Sequence, residues 1–288
     1  MKAREKLVKE GLSTELVDGV SAELLKALHI LTRDGDLNAD SRRKLKQVSH
    51  FLGLLKPALD DVRARHPDPV VVDCGAGKAY LGLLLASWAF AKPARGRVIN
   101  VESKQELVTT AQKIAKDAGL ERVDFVRDAV ETAALPERVH LVTALHACDT
   151  ATDDALFRAL CLGADHIAVV PCCQAEVAQQ LKGAPESELS PLYEHGLHRR
   201  ELGSHLTNVL RCLVLEAHGY QVTVTELVGW EHSLKNELIL ARRVHKAHAP
   251  SQKKLDALLK SAGVRPKLVR LLDARAPSQP PPADGAPA

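Results

Sequence analysis

The chain has 288 residues, 39 Lys+Arg against 36 Asp+Glu, a formal charge of +3 and 45% hydrophobic residues, the make-up of a globular protein able to bury a core without disulfide staples. No apolar run approaches the ~18–20 residues of a membrane span, and MKAREKLVKE lacks the apolar core of a signal peptide, so a cytoplasmic protein is expected. Six cysteines with an adjacent pair but no CxxC, and only two Trp, three Tyr and four Phe, argue against a zinc ribbon, a secreted disulfide framework and a wall of stacked bases.

LSTELVDGVSAELLKALHIL sets Leu16, Val20, Leu24, Leu28 and Leu31 three and four apart, a helical stripe. SRRKLKQVSHFLGLLKPALDDVRARH predicts a second helix with Ser41 as its N-cap and Arg42, Arg43, Lys44 and Lys46 in its first turns. Cations there oppose the helix dipole, which points to an anionic neighbour. From residue 69, Val- and Ile-rich runs alternate with helix-length segments: PVVVDCGAG, RVINVES, VDFVRD, HLVTALHA and HIAVVP. The pattern predicts a doubly wound, mainly parallel α/β sheet buried on both faces. YQVTVTELVG and NELILARR add a hairpin-like edge pair, for seven strands in all.

Residues 242–275 carry ten Lys/Arg against two acids, and KKLDALLKSAG shows a stripe of Leu255, Leu258 and Leu259, so a basic surface helix is expected. The last thirteen residues hold five of the fifteen prolines and read as a disordered tail. The expected organisation is an N-terminal helical extension over 1–66, an α/β domain over 67–243, a basic helical segment over 244–275 and a Pro-rich tail over 276–288. The charge divides accordingly, with −4 over residues 1–241, +8 over 242–275 and −1 in the tail.

The first strand runs into Asp73-Cys74-Gly75-Ala76-Gly77-Lys78-Ala79-Tyr80-Leu81. Two glycines after an apolar strand let the backbone pass close to a ligand at the switch point of the sheet. A dinucleotide fingerprint wants a third glycine where Tyr80 stands. D-x-G-x-G suits S-adenosylmethionine better, Gly75 and Gly77 leaving room for its methionine part and Asp73 meeting its ammonium. Glu102, ending the second strand, is placed to accept both ribose hydroxyls and to repel a 2′-phosphate. Asp128 and Ala129 close the third strand, at the expected adenine position. The fourth strand delivers Ala144-Leu145-His146-Ala147-Cys148-Asp149-Thr150-Ala151-Thr152-Asp153, which puts His146 and Asp149 at the ligand end, with Asp153 either in the site or capping the next helix. The fifth ends in Pro171-Cys172-Cys173-Gln174, a pocket floor; adjacent cysteines ligate one tetrahedral ion poorly, so no metal is expected.

The D-x-G-x-G-K-x-Y-L turn, the H-x-C-x-x-A-T-D run from His146 to Asp153 and the P-C-C-Q element together resemble a class I S-adenosylmethionine-dependent methyltransferase. More narrowly, they resemble the methyltransferase-domain group that includes tRNA 2′-O-methyltransferases of the acceptor stem and glutathione-S-transferase-C-terminal-domain-containing proteins. Lys44 with Gln47, and Glu231, His232, Lys235 and Asn236, are similar to elements of bacterial members. The resemblance implies a Rossmann-like methyltransferase domain over 67–243 that binds S-adenosylmethionine through Asp73, Gly75, Gly77, Lys78, Glu102, Asp128, Ala129 and His146. It implies His146, Asp149 and Lys235 in transfer. Lys44, Gln47, Pro171, Cys172, Cys173, Gln174, Glu231, His232 and Asn236 would border the substrate. The chain departs from the tRNA enzymes in having Gln174 after its cysteine pair and no Cys/His-rich module. RNA is the expected partner, through residues 42–46, Arg199, Arg200, Arg211 and the segment 242–275. Competing readings are a small-molecule methyltransferase and a non-catalytic cofactor- or partner-binding domain.

Overall fold

The computed structural model describes residues 20–32, 34, 39–90, 95–145, 147, 149–171, 174–227 and 237–275, of which 39–48 by backbone alone. Its centre is a seven-stranded sheet in the order β3-β2-β1-β4-β5-β7-β6. The strands are β1 Val70–Cys74, β2 Arg97–Val101, β3 Val123–Val126, β4 Leu141–Leu145, β5 His166–Val170, β6 Tyr220–Glu226 and β7 Glu237–Arg243. The first five are parallel, and β7 inserts antiparallel between β5 and β6, so only β6 of the expected edge pair is an edge. Every residue of β1 and β5 is buried, as the continuous Val and Ile runs require of strands covered on both faces. The order reverses between β1 and β4, which opens the ligand crevice at the carboxyl ends of those strands.

The helices are α1 Ala22–Ala27, α2 Ala39–Arg65, α3 Tyr80–Ala89, α4 Gln105–Asp117, α5 Thr150–Cys161, α6 Glu176–Lys182, α7 Gly196–Ala217, α8 Ala249–Ala262 and α9 Lys267–Arg275. Ser21 caps α1, its Oγ accepting the Leu24 N–H at 3.1 Å. The predicted stripe of Val20, Leu24, Leu28 and Leu31 is buried, and Leu16 lies outside the described residues. Helix α2 begins at Ala39, so Ser41 is a helical residue and not the N-cap. Its Phe51, Leu52, Leu55, Leu59 and Val62, spaced by three and four, bury one face.

The C-terminal segment differs from the expected surface helix. It is a pair, α8 and α9, separated at Gly263, which is left-handed at φ +64°, and their Leu255, Ala262, Val264, Leu268 and Val269 join the core shared by β4, β5 and β7. Much of its charge is paired: Lys267 with Asp154 at 2.7 Å, Arg270 with Glu176 at 2.7 Å, and Arg265 with Asp273. A truncation at residue 242 therefore removes core as well as charge. The tail 276–288 lies outside the described residues.

At the amino ends of the parallel strands, a polar cluster clamps α2 to the sheet. His66 Nε2 lies 3.0 Å from Asp165 Oδ2, Arg138 donates to Asp165 Oδ1 at 2.8 Å, and His166 Nε2 stands 2.6 Å from Asp61 Oδ2. His66, His140 and Asp165 gather ligand-type atoms, but His140 Nδ1 already accepts the Val70 N–H at 2.9 Å and Asp165 holds Arg65 and Arg138. The group is a hydrogen-bonded junction.

Burial, with His66 and Arg138 nearby, pushes His140 down to about 4. The unfolded chain then binds one more proton than the native one between about pH 6.5 and 4, so stability falls as pH drops through that window. From pH 7 to pH 5 the loss is about 2 kcal/mol. The gap between wild-type and His140→Asn urea midpoints at the two pH values checks it, since the Asn carbonyl still accepts from Val70 and the opposite pH dependence of the buried Asp73 is common to both proteins; a gap unchanged between pH 7 and pH 5 would refute it.

Candidate functional site

The turn after β1 lies at the centre of the carboxyl edge. Gly75 and Gly77 adopt φ of +64° and +58°, a left-handed region costly for side-chain-bearing residues. An added Cβ at Gly77 meets nothing within 4 Å and at Gly75 only Ala147, at 3.8 Å. The glycines therefore serve conformation and leave an open cradle. The Ala76 N–H donates to the Val101 carbonyl at 2.9 Å, tying the turn to the end of β2. Helix α3 has Ala79 at its N-cap and no side-chain cap hydrogen bond, so no capping side chain satisfies its first N–H groups.

Two carboxylates flank this turn. Asp73 is 2% exposed, accepts from Thr143 Oγ1 at 2.8 Å, and is pushed by burial up to about 7, against the pull of that hydrogen bond. A buried carboxylate with no cation in hydrogen-bond reach among the described residues suits the ammonium of a ligand. Glu102 sits at the rim, Oε2 accepting the Gly77 N–H at 2.8 Å and Oε1 the Lys104 N–H at 3.0 Å. One strand further, Asp128 Oδ1 accepts from the Ala129 N–H and from Thr132 Oγ1, each at 2.7 Å, while Ala129 is exposed. Lys78 points to solvent. An ammonium, a vicinal diol and an adenine edge thus have matching partners in Asp73, Glu102 and Asp128, and these residues fit S-adenosylmethionine.

On the other side of the switch point the polar residues are bound to each other. Asp149 follows β4 at φ +46°, ψ −117°, and its Oδ1 accepts the Ala175 N–H at 3.0 Å. Pro171 and Gln174 are buried, and Gln174 Oε1 accepts from Ser204 Oγ at 2.7 Å. Asp153 is neither a cap nor a site carboxylate: its two oxygens accept Nε and Nη2 of Arg211 at 2.9 and 3.0 Å. Arg211, expected to reach RNA, is 2% exposed and cannot do so. Arg199 turns onto the Tyr193 and Glu194 carbonyls, and Arg200 is exposed.

His146, Cys148, Cys172, Cys173, Glu231, His232, Lys235 and Asn236 lie outside the described residues, as do the side chains of Lys44 and Gln47. Sequence reasoning missed Thr143, Ser204, Asn208 and Glu237, and misread Arg211. A signal existed for the last: Arg211 stands within the buried stripe of Thr207, Leu210 and Val214 on α7, where a solvent-facing cation does not belong.

Residues 43–180 match the family model described as a methyltransferase domain. No curated protein matches the sequence. Among solved structures, an rRNA methylase from Streptococcus thermophilus is similar at 12% identity over 67% of this chain and 96% of its own, with a TM-score of 0.44. A SAM dependent methyltransferase from Aquifex aeolicus gives 17% identity, 67% and 89% coverage and 0.42. Magnesium protoporphyrin IX methyltransferase from Synechocystis PCC 6803 gives 13%, 78% and 98%, and 0.45.

Proposed function

We propose that the chain, whose residues 43–180 match a methyltransferase-domain family model, is a class I S-adenosylmethionine-dependent methyltransferase and that it methylates RNA. The observation that carries the RNA reading is the course of α2. Its C-terminal end is pinned at the amino ends of the strands, where Arg65 and His66 meet Asp165. Twenty-seven residues reach about 40 Å at 1.5 Å each, whereas a five-residue strand such as β1 spans about 17 Å. In this reading the first turns of α2, whose sequence carries Arg42, Arg43, Lys44, Lys46 and Gln47, extend past the carboxyl edge that holds Asp73 and Glu102. A cationic helix end over the ligand edge suits a polyanion that must reach into the crevice. Exposed Lys253, Lys254 and Lys260 on α8 extend the basic surface.

When bound, S-adenosylmethionine supplies a methyl group activated on a sulfonium. In this reading Asp73 holds the ammonium as a carboxylate, Gly75, Gly77 and Lys78 shape the cradle, Glu102 takes the ribose hydroxyls, and Asp128 with Ala129 bounds the adenine. His146, Asp149 and Lys235 act on the acceptor hydroxyl, one of them taking its proton. Pro171, Cys172, Cys173, Gln174, Lys44, Gln47, Glu231, His232 and Asn236 line the acceptor side. Among the described residues no helix is long and apolar enough to cross a membrane. Cys74, Cys161 and Cys212 are free, with burial raising all three thiols, which supports a reducing, cytoplasmic location.

Labelled S-adenosylmethionine, purified full-length protein and RNA from cells lacking it test the proposal. Label is expected in one modified nucleoside. Changing Arg42, Arg43, Lys44 and Lys46 to Glu should weaken RNA binding about a hundredfold at 50 mM salt, the effect of about four phosphate contacts, with S-adenosylhomocysteine affinity unchanged. RNA affinity indifferent to salt, or label only in small molecules, would overturn it.

A further inference from the structure

Three strand ends on the acceptor side, those of β4, β5 and β7, are joined by one buried hub. Arg211 of α7 grips both Asp153 oxygens, donates from Nη2 to the Asp149 carbonyl at 2.9 Å and from Nη1 to Asn208 Oδ1 at 3.1 Å. Asn208 passes the link on, its Nδ2 donating to Glu237 Oε2 at 2.9 Å at the start of β7, while Gln174 Nε2 reaches Asn208 Oδ1 at 3.4 Å. Gln174 is held in turn by Ser204, and the Ala175 N–H is held by Asp149.

Stability alone is a poor reason for this arrangement, because well-packed apolar side chains of similar volume usually serve a core at least as well as a buried ion pair. What an Arg–carboxylate fork supplies in addition is direction. The backbone it directs is unusual: Asp149 at φ +46°, ψ −117° is a conformation that a non-glycine residue keeps only when its surroundings over-determine it. Here its carbonyl is held by Arg211 and its carboxylate by the Ala175 N–H, so the turn is fixed from two sides. None of these bonds involves Asp73, Gly75, Gly77 or Glu102.

We propose that Arg211 is a positioning residue for methyl transfer: through Asp153, Asp149 and Asn208 it sets the post-β4 and post-β5 loops against the acceptor, and it leaves cofactor binding untouched. The proposal rests on the methyltransferase reading of the crevice, and its RNA assay rests on the acceptor class given above.

Two variants test it. Arg211→Lys keeps the charge and loses the fork; Arg211→Met with Asp153→Leu removes both charges at similar volume, so the fold is retained. In both, S-adenosylhomocysteine affinity by calorimetry should stay within threefold of wild type. Transfer of label to bulk RNA should show kcat reduced at least thirtyfold with KM for S-adenosylmethionine within threefold. Amide exchange over 149–153 and 174–176 should accelerate at least tenfold while 73–77 is unchanged. Retained kcat in the double variant, or cofactor affinity falling in step with kcat, would overturn the proposal. If wild-type protein transfers nothing to RNA, the acceptor class is wrong, and the exchange pattern with the unchanged cofactor affinity still decides the positioning role: uniform acceleration, or none, would refute it.

Discussion

Asp73→Asn should make the cofactor-free protein more stable and weaken cofactor binding about a hundredfold. Burial lifts the Asp73 carboxyl from its ordinary 3.8 to about 7. The native state therefore holds this proton more tightly than the unfolded chain, and stability falls as pH rises from about 4 to 7. Above pH 7 the full cost of ionising the buried carboxyl applies, of order 2–4 kcal/mol from a shift of this size. Asn is neutral throughout and its carbonyl can still accept from Thr143. At pH 8 its melting temperature should exceed wild type by roughly 5–10 °C, since 1 kcal/mol shifts a protein of this size by about 2–4 °C. The advantage should shrink towards pH 4. On the proposed reading the same substitution removes the carboxylate for the ligand ammonium, so S-adenosylmethionine affinity should drop about a hundredfold, the effect of one charged hydrogen bond. An Asn variant that melts at the wild-type temperature at pH 8 would show that Asp73 is not under this strain.

Asp153→Ala carries the other large effect, and in the destabilising direction. Burial drives the Asp153 carboxyl up while Arg211 holds it down, and each side chain of the pair is only 2% exposed. Truncation leaves a guanidinium in the core without its carboxylate, a loss of about 3–5 kcal/mol. A melting temperature lower by roughly 10 °C is expected, and adding Arg211→Met to Asp153→Leu should recover most of the loss. The exposed Lys56–Asp60 pair, at 41% and 53% side-chain exposure, provides the contrast: Asp60→Ala should change stability by less than about 0.5 kcal/mol. Comparable losses at the two sites would contradict the burial-based account.

Sequence and structure agree best where a signal is local. Continuous apolar runs announced five parallel strands at the right places, and alternating helix-length segments announced the double winding. The glycine turn was legible for the same reason: Asp73, Gly75 and Gly77 share one short stretch after β1, and both glycines adopt positive φ. Glu102 required one step more, the assumption that the second strand lies beside the first, and β1 does pair with β2.

The errors fall on residues whose environment is set by distant chain. Arg211 and Asp153 are 58 positions apart, and nothing near either reveals that they meet at 2.9 Å. Lys267 reads as a surface cation until Asp154, 113 positions earlier, is brought to 2.7 Å by the packing of α9 on α5. By itself the sequence determined the strand and helix pattern, the glycine turn and the cofactor class, because those follow from periodicity and from backbone conformations that few residues can adopt. Only the tertiary structure decided which charges are free, since a cation's role depends on whether a carboxylate shares its burial, and that partner is supplied by the fold.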